Sequence, residues 1–128
     1  MATNDDPVFI AGAKQRLMPD VGSTLASLEK VSGRKATRVG KPGTFALEAI
    51  LGDHFGEDRN RWKEEAFLKQ FCYVGDNLQT DIRFGKDSGI GTVLVLSGIT
   101  SEQDVDKIEQ IKPDFVLKRF SPCDEDGP

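Results

Sequence analysis

With 128 residues, 38% of them hydrophobic and 30% charged, the chain has room for one hydrophobic core and is too apolar to be disordered. The net charge of −4, with Lys and Arg scattered among the acids, argues against a nucleic-acid partner. No stretch reaches the roughly 20 apolar residues that span a bilayer, and MATNDDPVF has no apolar signal core, so the expectation is a soluble, cytoplasmic protein with no membrane partner.

The opening MATNDDPVFIAG is rich in turn residues and holds no complete periodic element. Gly22-Ser23-Thr24 offers a helix cap ahead of Leu25, Leu28 and Val31 at helical spacing, and Gly33 closes that segment. Ala36 to Val39 is a brief β-capable run ending in Gly40-Lys41-Pro42-Gly43. Phe45, Leu47, Ala49, Ile50 and Leu51 then recur along a second helix, with Pro42 suited to its first turn. His54 falls among polar residues at a helix end, where a surface or capping place is expected, and no histidine-based triad is supported. Gly56 to Gln70 is dominated by charge and reads as a solvated loop with room for one helical turn.

Phe71 to Val74 is a continuous apolar run meeting Gly75-Asp76-Asn77, the pattern of a buried parallel strand. Cys72 within it is expected to be a small buried hydrophobe. Cys72 and Cys123 lack any paired spacing, which leaves neither a disulfide framework nor a zinc site. Leu78, Ile82 and Phe84 belong to a helix ending near Gly85 or Gly89, and Thr92 to Leu96 repeats the strand pattern before Ser97-Gly98. A capped helix is expected from Ser101 to Ile111, and Pro113-Asp114 leads to a last strand, Phe115 to Leu117; the tail SPCDEDGP is too polar to pack. Strands alternating with helices predict an α/β fold, part of a doubly wound, Rossmann-like parallel sheet, whose ligands sit beyond the carboxyl ends of the strands.

Two segments that follow predicted strands carry the chemistry. In Gly75-Asp76-Asn77-Leu78-Gln79-Thr80-Asp81, Asp76 stands at a strand end and Asp81 in the first turns of the next helix. Such carboxylates can converge on one hard cation, because Mg2+ takes oxygen ligands and accepts few of them from protein. Asp76 would bind directly, and Asp81 would orient it or a bound water. Helix N-terminal amides beside them favour phosphate oxygens. Gly-Asp-Asn alone is a common turn, and Asp81 alone is a first-turn acid that suits the helix dipole; the longer GDxxxTD after an apolar strand is much rarer. Lys41, between Gly40 and Pro42, has its backbone pushed toward an extended conformation that aims the side chain away from the following helix. It is a point charge suited to a phosphate or a catalytic carboxylate, although GKP by itself reads as a surface lysine in a proline turn. Neither GxGxxG nor GxxxxGK[ST] occurs, so dinucleotide and P-loop binding have no motif.

SGRKATRVGKPGTF, FCYVGDNLQTDIRFGKDSGIGTVLVLSGIT and PDFVL, with ATNDD near the start, resemble the haloacid dehalogenase superfamily. Within it they resemble the group of p-nitrophenyl phosphatase, pyridoxal phosphatase and phosphoglycolate phosphatase, from Ala2 to Leu117. The resemblance implies that 1–21 connects a cap domain to the core, that 22–118 is the C-terminal half of the catalytic core and that 119–128 is a polar tail. It makes Lys41 the lysine that steadies the nucleophile and the transferring phosphoryl group, Asp76 the Mg2+ ligand and Asp81 its supporting acid, with Lys41 and Asn77 as substrate contacts. It also implies hydrolysis of a small phosphorylated metabolite through an aspartyl-phosphate intermediate.

The family's DxDGT-like nucleophile segment, its Ser/Thr motif and its cap domain have no counterpart in these residues. Asp5-Asp6 cannot replace the nucleophile, because Pro7 follows and no apolar strand precedes them. ATNDD instead resembles the point where the chain leaves the cap for the core. The chain is therefore expected to be a C-terminal segment, inactive alone, with the central nucleophile strand missing from its sheet. The charged stretch EDRNRWKEEAFLKQ is longer than usual for the group. A non-enzymatic module that binds a partner or itself through an exposed sheet edge is the alternative from another class. A receiver-like domain is a weaker third, since its acidic cluster near the N-terminal strand is not evident.

Overall fold

The computed structural model describes residues 1–12, 16–56, 60–105 and 111–120. The opening 1–12, expected to hold no complete element, contains β1 (Val8–Ala11), which pairs antiparallel with β2 (Arg16–Pro19) as a hairpin, with Val8 opposite Pro19 and Ala11 opposite Arg16. Its strands are short and largely exposed, so pairing and anchorage hold them rather than a buried face. The anchor is α1 (Val21–Ser32), whose Gly22 N–H donates to Asp6 O at 2.8 Å and whose Ser23 hydroxyl donates to Pro7 O at 2.5 Å. A Cβ at position 22 would lie 2.5 Å from Asp5 O, so glycine permits this approach. The cap of α1 is Asp20, which accepts from Val21 N–H at 2.7 Å, and not the Gly22-Ser23-Thr24 expected from sequence. Gly33, at φ 67°, closes the helix as expected.

Residues 36–39 make one parallel bridge, Ala2 opposite Arg38, rather than a strand. Ala2 N–H donates to Thr37 O at 2.8 Å, Val39 N–H donates to Ala2 O at 2.9 Å, and Arg38 pairs with Asp5 at 2.9 Å. The first six residues are thereby part of the same packed body. Helix α2 spans Phe45–Phe55; Pro42 lies in the turn ahead of it and not in its first turn. His54 is exposed in the last turn of α2.

The charged stretch is more structured than its composition suggests. Residues 57–59 lie outside the description, but a 3-10 turn (Arg61–Lys63) and α3 (Glu65–Leu68) follow, and Phe67 is buried. Phe67 packs edge-on against Phe55 and Phe71, at 5.4 and 5.1 Å between ring centroids. The apolar residues of this short helix win over the charged residues that flank it, because one buried aromatic ring is worth about 2–3 kcal/mol.

β3 (Cys72–Gly75) and β4 (Gly91–Val95) are parallel, with Cys72 opposite Gly91 and Gly75 opposite Leu94. Between them run a π-helical turn (Leu78–Ile82) and α4 (Arg83–Asp87), and the chain turns out at Gly89, φ 74°. α5 (Glu102–Val105) begins at Ser101, which donates through its N–H and its hydroxyl to Asp104. The rest of the expected Ser101–Ile111 helix, at 106–110, lies outside the described residues. β5 (Phe115–Leu117) pairs in parallel with the other side of β4, giving the order β3-β4-β5. Leu94 of central β4 is fully buried against Leu78 and Ile82, with Leu96, Val105 and Ile111 around them. Asp114 locks the sheet's entry edge: it accepts from the Thr92 N–H at 2.9 Å and the Thr92 hydroxyl at 2.7 Å.

Cys72 is exposed, against expectation, together with Val74. β3 is an edge strand, and only the side bearing Tyr73 is covered, by Phe84 at 4.8 Å between ring centroids. Cys123 and the tail from Ser121 onward lie outside the described residues.

Candidate active site

The sequence GDNLQTD builds a closed loop at the carboxyl end of β3. Asn77 is extended, and its side-chain oxygen accepts from Gln79 N–H at 2.9 Å, which starts the helix. Its carbonyl accepts from both Asp81 N–H (2.8 Å) and Ile82 N–H (3.1 Å), and the second bond widens the first turn into a π-turn. Such turns are frequent at functional sites. The widening brings the Asp81 side chain back over the strand end. There Asp81 Oδ2 accepts from the backbone N–H of Asp76 and of Asn77, each at 3.1 Å. Any Cβ at position 75 would collide with the Asp81 carboxylate, so Gly75 is a packing requirement.

Lys41 enters from the loop before α2 and ion-pairs with Asp81 Oδ1. Its Nζ also lies 3.8 Å from Asp6 Oδ2 and 6.0 Å from the centre of the Tyr73 ring. Burial pushes the Lys41 pKa down, but the hydrogen bond and charge of Asp81, with help from Tyr73 and Asp6, outweigh it and hold the pKa above the ordinary lysine value. Lys41 is thus a fixed cation at neutral pH.

Asp76 is tied from the opposite side. Its Oδ2 accepts from Ile99 N–H at 2.8 Å, and its carbonyl accepts from Thr100 N–H at 3.0 Å. Gly98 touches the carboxylate so closely that any side chain there would overlap it. Asp76, Lys41, Asn77 and Asp81 open on one cleft of about 400 Å³, whose other wall is Val8–Ile10 of the hairpin and Ser97–Ile99 after β4.

The four residues singled out from sequence are brought together, with unequal freedom. Asn77 is buried, and both ends of its amide are engaged, the oxygen by Gln79 and the nitrogen by Asp6 at 3.0 Å. Asp81 serves three donors. The Asp76 side chain accepts from Ile99 N–H. Among the described residues no group of three or more His, Cys, Asp or Glu converges as a metal cage. Asp76 is the residue that could hold a Mg2+ ion, which keeps several waters and takes only one or two carboxylates from protein.

Asp6 and Thr80 are the site residues that sequence reasoning missed. Asp6 is buried, and its Oδ1 accepts from Asn77 Nδ2 at 3.0 Å and from the Thr80 hydroxyl. No local pattern predicts a contact across 71 positions; only the ATNDD resemblance pointed to this stretch at all.

Residues 38–123 match the HAD-hydrolase-like family. The chain belongs to that family. Phosphoglycolate phosphatase 2 of Arabidopsis thaliana is 38% identical over 122 residues, which are 94% of this chain and 37% of that protein. Ribonucleotide monophosphatase NagD of Escherichia coli K12 is 36% identical over 106 residues, 83% of this chain and 38% of that protein. Among solved structures, the 4-nitrophenylphosphatase of Thermotoga maritima superposes with a TM-score of 0.66 at 34% identity, covering 90% of this chain and 40% of that one. The chain thus spans under half the length of these HAD-hydrolase-like relatives, and its α/β fold with a three-stranded parallel sheet is theirs.

Proposed function

We propose that the chain supplies the lysine and the metal aspartate of a Mg2+-dependent phosphomonoesterase that acts on a small phosphorylated metabolite through an aspartyl-phosphate intermediate. The observation that carries this reading is the placement of Lys41 and Asp76 on one cleft at the carboxyl ends of the parallel strands, fixed by Asp81. Lys41 offers a permanent positive charge to a nucleophilic carboxylate and to phosphoryl oxygens. Asp81 holds that charge in place and fixes the backbone that presents Asp76. Asn77 keeps the loop closed and lines the cleft where a phosphate would sit. A bound Mg2+ would supply the charge neutralisation that phosphoryl transfer needs.

No DxDGT segment occurs in these residues. Asp124-Glu125-Asp126-Gly127 has part of that order but follows Ser121-Pro122-Cys123 rather than an apolar strand. Asp6 is engaged by Asn77 and Thr80. The 128-residue chain should therefore bind Mn2+, a spectroscopic stand-in for Mg2+, without turning over p-nitrophenyl phosphate. Electron paramagnetic resonance titration should show binding that weakens at least about tenfold in Asp76→Asn. Binding unchanged in that variant overturns the metal assignment, and turnover by the isolated chain overturns the missing nucleophile.

The open edge also supports a second reading, self-association. Val74 on β3 is 38% exposed and Phe115 on β5 is 67% exposed, an apolar flank on a sheet whose edges are unpaired among the described residues. Size-exclusion chromatography at micromolar to millimolar concentration tests it, and a monomer throughout rejects it. Among the described residues no helix is long and apolar enough to cross a membrane.

A further inference from the structure

Asp6 is a carboxylate with two different faces. One oxygen, Oδ1, accepts from Asn77 Nδ2 at 3.0 Å and from the Thr80 hydroxyl, both inside the loop that presents Asp76. The other, Oδ2, stands 3.8 Å from the Lys41 ammonium. Its side chain is 12% exposed and that of Lys41 27%, so the pair is only partly screened by water. Asp6 is also the residue on which α1 docks, through Gly22 N–H to Asp6 O at 2.8 Å, and it immediately precedes the hairpin that walls the cleft. One side chain therefore touches the lysine segment and the metal-aspartate segment, and its backbone carries the cleft wall.

The chemistry at each face calls for an acceptor. Asn77 Nδ2 and the Thr80 hydroxyl are donors, and a single carboxylate oxygen takes both. Lys41 already has Asp81 on one side, with Tyr73 facing it across 6.0 Å. A second carboxylate on another side limits the directions in which the flexible lysine can swing, because a four-carbon stem with one partner keeps much of its rotamer freedom. An amide at position 6 would keep an oxygen for Asn77 and Thr80 but would turn an N–H2 toward the ammonium, donor against donor.

We infer that Asp6 is a positioning residue of the site: through Oδ2 it steers Lys41 and through Oδ1 it registers the Asp76 loop, so that the two charged groups hold a fixed separation. This inference rests on the phosphatase reading for the purpose of that separation, but not for the contacts themselves. Asp6 touches no reacting atom and acts through Lys41, Asn77 and Thr80.

The test uses the whole 128-residue chain and three variants, Asp6→Asn, Asp6→Ala and Thr80→Val. Lys41 is followed by its rate of acetylation with acetic anhydride at one fixed pH, read by mass spectrometry against the other lysines. The loop is followed by amide hydrogen exchange at Asn77 to Asp81. Asp6→Asn should keep wild-type exchange in the loop while Lys41 acetylates about threefold faster, the size of a weak, partly exposed ion pair. Thr80→Val should show the reverse, with faster loop exchange and wild-type Lys41 reactivity. Asp6→Ala should show both. A purely structural Asp6 would leave Lys41 reactivity in Asp6→Asn at the wild-type rate, and that result overturns the inference. So does a Thr80→Val loop that exchanges like wild type. Because neither readout involves metal or phosphate, they stand or fall apart from the Mn2+ titration: failure of Mn2+ to bind the wild-type chain would reject the phosphatase reading and leave the positioning role of Asp6 to these two measurements.

Discussion

Replacing Lys41 by Met asks how much the buried ion pair contributes to the fold. The Asp81 side chain is 5% exposed and is met by three donors: Lys41 and the backbone N–H groups of Asp76 and Asn77. Methionine matches the stem of lysine but removes the only full positive charge, leaving a carboxylate with two amide donors and almost no water. Removing one partner from a fully buried pair costs about 3–5 kcal/mol. Two retained amides, and a lysine that is itself 27% exposed, lower the expected cost to about 2–3 kcal/mol. Urea unfolding at pH 7, followed by far-ultraviolet circular dichroism, measures it. The pH dependence has a defined sign, since the folded Lys41 pKa lies above the ordinary 10.5. The lysine's contribution is fully present below the unfolded value and fades as pH rises through the folded one. The gap between wild type and Lys41→Met should therefore stay level from pH 6 to about pH 10 and close above it. A gap below about 0.5 kcal/mol at pH 7 would refute the claim that this pair is a buried, structurally coupled unit.

Asp114 titrates below the ordinary 3.8, chiefly through its hydrogen bond from Lys86 and then through the Thr92 hydroxyl and N–H. A depressed carboxylate stabilises above its unfolded pKa and loses that contribution as pH falls through the folded one. Asp114→Asn should thus cost up to about 1 kcal/mol at neutral pH, a cost that shrinks as pH falls below the ordinary 3.8, read from urea midpoints across pH 2–7. Gly98→Ala drives a methyl group into the Asp76 carboxylate, so it should cost about 1–3 kcal/mol and weaken Mn2+ binding together with it. Wild-type Mn2+ affinity in Gly98→Ala would show that Asp76 is free to move.

The legible part of the fold is the part in which local pattern and burial agree. Val93, Leu94 and Val95 lie in a continuous apolar run because β4 is central in the sheet, and Leu25 marks the inward face of α1. Cys72 follows the same apolar rule and fails it, because β3 is an edge strand whose one face no described residue covers. The hairpin was illegible for the opposite reason: Arg16, Leu17 and Met18 are all exposed, so no alternation is imposed on them. Phe67 was hidden among Lys63, Glu64, Glu65 and Lys69, charges that face water in and around its short helix. In the site, Asp76, Asp81 and Lys41 announce themselves by their turns, since Gly75 and Pro42 punctuate the chain beside them. Asp6 has no such punctuation. Its partners Asn77 and Thr80 are brought to it by tertiary folding alone.

Asp76 and Asp81 look equivalent in the sequence, two acids on one strand-to-helix turn, and their surroundings separate them. Asp81 satisfies the Lys41 ammonium and two backbone amides in a nearly dry place, so its oxygens are occupied. Asp76 accepts from Ile99 N–H through Oδ2 and opens on the cleft. Only a carboxylate with lone pairs to spare can take a cation without breaking its own supports, so on the reading proposed above Asp81 would be the scaffold and Asp76 the ligand. The two asparagine variants should then diverge. Asp76→Asn keeps an oxygen for Ile99 and removes a charge near Asp81 and Asp6, so its stability should stay within about 0.5 kcal/mol of wild type while Mn2+ binding is lost. Asp81→Asn keeps an oxygen for the two amides but turns an N–H2 toward Lys41, and should cost about 2 kcal/mol. Equal destabilisation by both, measured by urea unfolding without metal, would mean that the two acids share one structural role and that this division between scaffold and ligand is wrong.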